Sequence, residues 1–535
     1  MSKDKMWLSK KSSRFIVPFS YAVTGKDCYE KLEQMSAGDN NKLWTPYDFS
    51  KTECDLYDFV KASLEPASGN AICHGYIVNS SCKKKILPNV AIRFGKEKDN
   101  PREIDVKIDN AGLYLFENGI GFLWYQTNAE DVSLLDLIEL NNVIKEFSHN
   151  NVSNQCYQSV TKQMSTGIAV QNCYVASNNV PLPEDAVVFG KKKERYFLAS
   201  QLPHSWDFEQ SYEYYERQGE IWGKCDSREL FRFVDWVMEL LEPVNVEDFF
   251  ASREERMGDE KRNIPDKAVL FNIVLCVREE DGQKLQYERE GKYFQHLFHL
   301  SKGYSTKYQV PDDFGQSEQN RCFIPFKNSS WFASEEGCAQ IIDVEEKGEN
   351  RAFFQDTYWN RQEIYFYVYI LVLQQYYGLL KINYRLSGLP KMLKDFGKAE
   401  ARKQLKECRE EINFFFTHSV YLKVSHISHQ NQFYSYLREQ YGLNEMTDKM
   451  KEKIIGMNDM VDAWYEGTRR RKTLAVSIVG SMFVFIQTLN NILGIHGYLP
   501  WKDSISVGEF TVVTFGIAVL ISILAAFILN VFGDD

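Results

Sequence analysis

The sequence lacks the patterns that announce common soluble enzymes and secreted proteins. No Walker A loop is present, and no GxGxxG follows a strand, so a standard NTP-hydrolysing or dinucleotide-dependent enzyme is not expected. The eleven cysteines form no CxxC pair, are odd in number, and lie far apart at positions such as Cys28, Cys73, Cys156, Cys225 and Cys338. That scatter predicts reduced thiols in a cytosolic body rather than a disulfide framework. The N-terminal MSKDKMWLSKKSSRF has cations but no following apolar core of signal-peptide length, so secretion is not expected. Excess positive charge is missing too: the formal net charge of -10 argues against a surface that binds nucleic acid directly, while leaving room for a local basic pocket. Repeats and low-complexity tracts are absent.

What remains is a long chain of 535 residues, 44% hydrophobic and 25% charged, with a mean hydropathy of -0.39. This balance fits a large water-exposed body carrying a small membrane part. We expect three regions: a cytoplasmic α/β region at 1–357, with room for two subdomains, a long helical stalk at 358–472, and a transmembrane hairpin at 473–535.

In the first region, Ile104 to Asp109 alternates apolar and charged residues with the period of a half-buried strand, and Asn110-Ala111-Gly112 reads as a turn. Leu113 to Phe116 and Ile120 to Tyr125, joined at Asn118-Gly119, give the strongest hairpin signal. A helix follows, capped by Asp131 or Ser133, with Leu134, Leu137, Ile138, Ile144 and Phe147 on one face. Ala186 to Gly190, Tyr196 to Ser200 and Ala268 to Val277 read as strands, Ser227 to Leu241 as an amphipathic helix, and Ser252 to Lys267 as a polar loop. From Tyr358 the character is helical. The apolar run Ile364 to Leu373 is too short to span a bilayer before Gln374-Gln375 and Lys381, so it predicts a buried core helix, with a break at Gly388-Leu389-Pro390. His426 and His429 are three apart, as on one helix face. Without a nearby carboxylate motif they predict a polar face rather than a metal site.

The C-terminal region holds two uncharged apolar segments, 474–493 and 510–531, each about the ~20 residues that cross a bilayer. The preceding cations Arg469 to Lys472 place the body and both termini in the cytoplasm, giving a multi-pass protein of the inner (plasma) membrane. Thr473, Ser477, Ser481, Val484, Thr488 and Asn491 fall on one side of the first segment and are the expected pore lining, with helix–helix packing the alternative. One hairpin cannot enclose water, so the pore reading requires self-association.

The stretch Ile478-Val479-Gly480-Ser481-Met482-Phe483 through Leu493-Gly494-Ile495-His496-Gly497-Tyr498-Leu499-Pro500, with the second segment after it, resembles the CorA-type divalent-cation channel family. The resemblance extends to the helices entering the membrane, Gln432 to Glu466. It implies a homopentameric CorA-like funnel, with Gly494, His496, Gly497 and Tyr498 at the outer mouth. Tyr498 and Leu499 stand where the family carries Met and Asn, which puts magnesium selectivity in question.

The enlarged cytoplasmic region also resembles that of CorA-like membrane effectors associated with type III CRISPR systems. That likeness implies an ion channel, not an enzyme, gated by a nucleotide second messenger such as a SAM-AMP conjugate. Such a ligand needs aromatic surface and cations. Arg93 with Phe94, Arg321-Cys322-Phe323, and Trp331 with Ser334 are candidates by residue type. The alternatives are an atypical CorA magnesium transporter, for which no metal ligands are nominated, and a membrane-tethered cytosolic enzyme.

Overall fold

The longest of the described strands is one that its sequence hides. Residues 6–21 form β1 (Met6–Tyr21), which pairs along its length with strands on both sides. The computed structural model to which it belongs describes residues 6–22, 32, 42–47, 55–64, 73–94, 102–146, 155–165, 187–189, 194–196, 208–217, 220–230, 233–250, 263–278, 292–312, 314, 321–395, 406, 407, 409, 410, 412, 413, 415–453, 455, 456, 480, 512 and 516. These divide into two units, Met1–Gly378 with Phe415–Leu443, and Leu379–Phe414 with Asn444–Asp535.

The first unit is organised by a fourteen-stranded sheet. After β1 come β2 (Trp44–Pro46), β3 (Cys73–Val78), β4 (Asn89–Phe94), β5 (Arg102–Phe116), β6 (Ile120–Asn128) and β7 (Gln155–Ser165). A separate pair, β8 (Val187–Phe189) and β9 (Glu194–Tyr196), precedes β10 (Phe208–Arg217), β11 (Glu220–Leu230), β12 (Val246–Glu247), β13 (Val269–Arg278), β14 (Phe323–Phe326), β15 (Ser329–Ser334) and β16 (Gly337–Glu345). The main path runs β10-β11-β7-β4-β5-β6-β1-β13-β16-β15-β14, with β12 on β1 and β2-β3 on β5. Among the described residues only β13 and β16 pair in parallel. Residues 269–277 of β13 are all buried, which accounts for the near-continuous apolar run Val-Leu-Phe-Asn-Ile-Val-Leu-Cys-Val: a strand covered on both faces does not alternate.

The hairpin β5–β6 forms as the sequence predicts. Gly119 takes φ 74°, its N–H bonds to the Phe116 carbonyl at 2.8 Å, and Asn118 Oδ1 accepts from the Ile120 amide. Helix α1 (Leu134–Lys145) follows, closed at its start by a capping box between Ser133 and Asp136. Its buried side chains join two cores. Leu140 and Ile144 pack with Phe15, Leu113, Tyr125 and helix α2 (Phe233–Leu241), while Leu134, Leu137 and Ile138 pack with Val274, Ile341 and helix α3 (Lys292–Lys302).

Helix α4 (Glu363–Asp395) contains the expected core segment. Every residue from Tyr365 to Leu373 is at most 1% exposed, and Gln374 and Gln375 are satisfied by Ser419 Oγ and the Tyr434 hydroxyl at 2.8 and 2.9 Å. Helix α5 (Ser428–Gln440) completes the first unit's long helices. In the second unit, the helical residues around 445–453 carry exposed pairs Lys449–Glu445 and Lys451–Asp448, and Lys453 Nζ donates to Asn383 Oδ1.

Several expectations are corrected. Residues 110–112 are not a turn but lie inside β5, where a register shift between Ile108 and Asn110 absorbs the irregularity. Ser227 to Leu230 belong to β11, so the amphipathic helix starts only at Phe233. The backbone stays helical through 388–390 and α4 ends at Asp395. Among the described residues the expected α/β domain, with room for an antiparallel portion, is corrected to one mixed sheet, antiparallel at every pairing but β13–β16, with packed helices.

The two-helix transmembrane hairpin of a CorA-like funnel, and with it the multi-pass membrane location, is also corrected: among the described residues no helix is long and apolar enough to cross a membrane. The longest, α4, carries Lys381, Arg385, Lys391, Lys394 and Asp395, and its apolar stretch is spent on the protein core. The segments 474–493 and 510–531, and the basic run before them, lie outside the described residues except for Gly480, Val512 and Gly516, which are helical. The stretch 252–262 lies outside them as well.

Candidate functional site

Helix α5 has two unlike faces. Phe433, Tyr434, Tyr436 and Leu437 are buried, while Gln432, Ser435 and Glu439 recur at helical spacing on the open side. The entry into the helix is held by side-chain to backbone bonds. Ile427 N–H donates to Ser425 Oγ at 3.0 Å, and Asn431 Oδ1 accepts from the amides of Val424 and Ser425 at 2.9 and 3.1 Å. These bonds fix the loop that carries Leu422 and Lys423.

Facing this loop and helix is the segment Arg321 to Ile324 at the start of edge strand β14. One phenol ties the two together: the Tyr436 hydroxyl donates to the Arg321 carbonyl at 2.9 Å and accepts from the buried Ala333 amide at 3.0 Å. Burial pushes the Tyr436 phenol well above its ordinary value, so it stays a neutral O–H able to donate. Its ring stacks on Phe323 with centroids 5.6 Å apart and planes 24° from parallel.

Between these elements lies an open cavity of about 720 Å³. Phe294, Phe314, Phe323 and Tyr436 supply its aromatic surface, and Ile324 and Leu422 its exposed apolar rim. Arg321 and Lys423 bring two exposed cations, Asn431, Gln432 and Ser435 bring amides and a hydroxyl, Glu439 brings one carboxylate, and Cys322 is half-buried among them. The volume falls within the ~300–1,000 Å³ of small-molecule sites. Flat apolar surface beside paired cations suits a ligand with an aromatic ring and an anionic group.

Of the candidates chosen by residue type, Arg321 with Cys322 and Phe323 lies in this cavity. Trp331 does not: it is fully buried, with its ring 4.5 Å from Phe433, 4.9 Å from Tyr365 and 6.0 Å from Phe271. Ser334 ends β15 outside the lining, and its buried Oγ has no hydrogen-bond partner among the described residues. Arg93 and Phe94 end β4, opposite Glu103 and Arg102 of β5. The pore positions Thr473, Ser477, Ser481, Val484, Thr488 and Asn491, and the mouth positions Gly494, His496, Gly497 and Tyr498, lie outside the described residues.

The residues that residue-type reasoning missed are Phe294, Phe314 and Lys423, together with the open row on α5. The helical spacing of Gln432, Ser435 and Glu439 was the available signal. His426 and His429 do not share a helix face, because α5 starts at Ser428. His426 rests on the Tyr57 ring at 4.1 Å, and His429 sits 5.1 Å from Phe326, with burial lowering its pKa. Among the described residues no cluster of His, Cys, Asp or Glu could hold a metal ion.

Comparison with known proteins adds little to this geometry. No family model and no curated protein matches the sequence. The chain is distantly similar to one solved structure, the complete structure of the CorA magnesium transporter from Methanocaldococcus jannaschii: 13% identity, TM-score 0.20, over 52% of this chain and 93% of that one. A likeness at that level carries no argument about fold or activity.

Proposed function

We propose that the chain is a ligand sensor whose cavity between Arg321–Ile324 and α5 binds a nucleotide-type messenger. The supporting observation is the meeting of a stacked Phe323–Tyr436 pair, the cations Arg321 and Lys423, and the polar row Asn431, Gln432 and Ser435 around one cavity. In this reading a purine lies on the aromatic surface, the two cations hold phosphate oxygens, and the amides and hydroxyl bond to base or ribose. Glu439 favours a ligand that carries a positive group as well, as a SAM-AMP conjugate does. The proposal assigns binding and no catalytic step.

A ligand changes the state of a protein only by binding one state more tightly than another. The finer proposal is that occupancy sets the state of a CorA-like homopentamer whose output is ion passage. That part rests on the sequence resemblance alone, and no described helix offers a path across a bilayer. Ligand-dependent flux from proteoliposomes tests it separately.

The deciding experiment for binding is a thermal-shift and calorimetry panel of magnesium, cyclic oligoadenylates, ATP, S-adenosylmethionine and its AMP conjugate. A ligand at 100 times its Kd stabilises by about 2.7 kcal/mol. We expect saturable stabilisation by a nucleotide conjugate, lost in Arg321→Ala/Lys423→Ala. If magnesium alone stabilises the protein, the messenger reading fails and a divalent-cation-binding protein remains.

A further inference from the structure

The middle of β1 carries a buried cation unrelated to the cavity. Arg14 is 7% exposed, with its guanidinium 4.2 Å from the Phe366 ring centre and 5.4 Å from that of Trp124. It donates through Nε to Gln126 Oε1 at 3.3 Å and through Nη2 to Glu363 Oε2 at 2.5 Å. A guanidinium this deep requires a counter-anion. Glu363 supplies it from the first turn of α4 with a side chain still 36% exposed.

One phenol touches the pair and two more interact with it. The Tyr367 hydroxyl lies 3.4 Å from Glu363 Oε1 and contacts the Tyr47 hydroxyl. Tyr114, only 1% exposed, interacts with Arg14, Glu363 and Tyr47, yet its hydroxyl has no hydrogen-bond partner among the described residues. Burial pushes the Tyr114 phenol far up and also raises Tyr367, so both remain donors. A carboxylate has two oxygens, and Glu363 has committed both. A guanidinium with this set of hydroxyls is matched better by a tetrahedral oxyanion with four.

We propose that this cluster is an exchangeable oxyanion site: Glu363 is the resident ligand of Arg14, and a phosphate-type oxyanion takes its place while Glu363 turns to solvent. The site shares no residue with the cavity described above, so it stands or falls independently of the messenger reading.

The test titrates the full chain with sodium phosphate and, in parallel, glycerol phosphate, against sodium chloride at equal ionic strength, read by phosphorus NMR line broadening and thermal shift. Binding of both phosphates supports a site open to phosphorylated molecules, and binding of inorganic phosphate alone supports a site for the free ion. Glu363→Gln removes the resident competitor, so phosphate affinity should rise by about tenfold or more, the factor being the inverse of the fraction of wild-type molecules with Glu363 displaced. Tyr114→Phe removes one hydroxyl without adding volume and should weaken phosphate binding several-fold. Equal stabilisation of all three proteins is the general salting effect of an excluded anion and overturns the proposal. So does a Glu363→Gln protein that binds phosphate no more tightly. Should that variant not fold, unchanged phosphate affinity in Tyr114→Phe overturns it alone.

Discussion

Tyr436→Phe tests whether the cavity wall is held as described. The substitution removes a single oxygen and leaves the ring stacked on Phe323, so no cavity is opened in the core. What it removes is the acceptor of the Ala333 amide and the donor to the Arg321 carbonyl. Arg321 is exposed and water can take over its carbonyl, but Ala333 is 1% exposed and its N–H is left unpaired. An unsatisfied buried donor costs about 1–3 kcal/mol, and a lost net hydrogen bond about 1 kcal/mol, so the expected destabilisation is about 2–4 kcal/mol. Urea unfolding followed by tryptophan fluorescence should show a lower midpoint with an unchanged slope. Ligand affinity should fall as well, because the Arg321 segment loses its tie to α5. Ser435→Ala provides the contrast: an exposed site, stability within about 0.5 kcal/mol of wild type, and a loss confined to ligand binding. If Tyr436→Phe is as stable as wild type, the hydroxyl does not hold the wall and the account of the cavity is wrong.

Other expectations concern the frame around the site. Lys145, 4% exposed at its side chain, pairs with Glu336 at 2.7 Å, and the Tyr304 hydroxyl bonds to the same carboxylate at 2.5 Å. Burial alone would raise Glu336, but the bonds from Lys145 and Tyr304 outweigh it and hold the carboxyl below its ordinary 4.5, while burial also lowers Lys145. A depressed carboxylate stabilises the fold above its unfolded value and loses that contribution as pH falls through the folded one. The melting-temperature gap between wild type and Glu336→Gln should therefore shrink on going from about pH 6 to about pH 3; a constant gap contradicts the pairing. Gly337→Ala would put a Cβ 2.4 Å from the Ser301 carbonyl oxygen and 2.7 Å from Leu270 Cβ, so it should cost about 3 kcal/mol or more. Gly442→Ala, at φ +60° with nothing within 4 Å, should cost only about 1 kcal/mol, and the reverse ranking in denaturation would count against the packing at Gly337. Ser133→Ala should lose about 1 kcal/mol by thermal unfolding through the missing cap, and an unchanged melting temperature would deny the capping box its role.

Local rules read this chain well where one local force decides. Gly119 and Asn118 set the β5–β6 turn, Ser133 caps α1, and the run from Ile364 to Leu373 is apolar because protein surrounds it on every side. They fail where long-range pairing decides. Residues 8–14 of β1, Leu-Ser-Lys-Lys-Ser-Ser-Arg, show no alternation, and the ladder to β13 and β6 makes them a strand nonetheless. Gly112 looks like a turn residue, yet it is needed in mid-strand because a Cβ there would sit 2.6 Å from the Trp124 indole. The same division runs through the candidate site. Arg321 and Phe323 were recognisable by type, but Trp331, eight residues beyond Phe323, belongs to the core because both faces of β15 are covered. The cavity is assembled from residues near 294, 314, 322, 423 and 435, a convergence set by sheet order and by the Tyr436 tie rather than by any local pattern. Arg14 makes the point most sharply: within its tetrad Ser-Ser-Arg-Phe it reads as a solvated charge, and only the arrival of Glu363, 349 positions later, makes its burial possible.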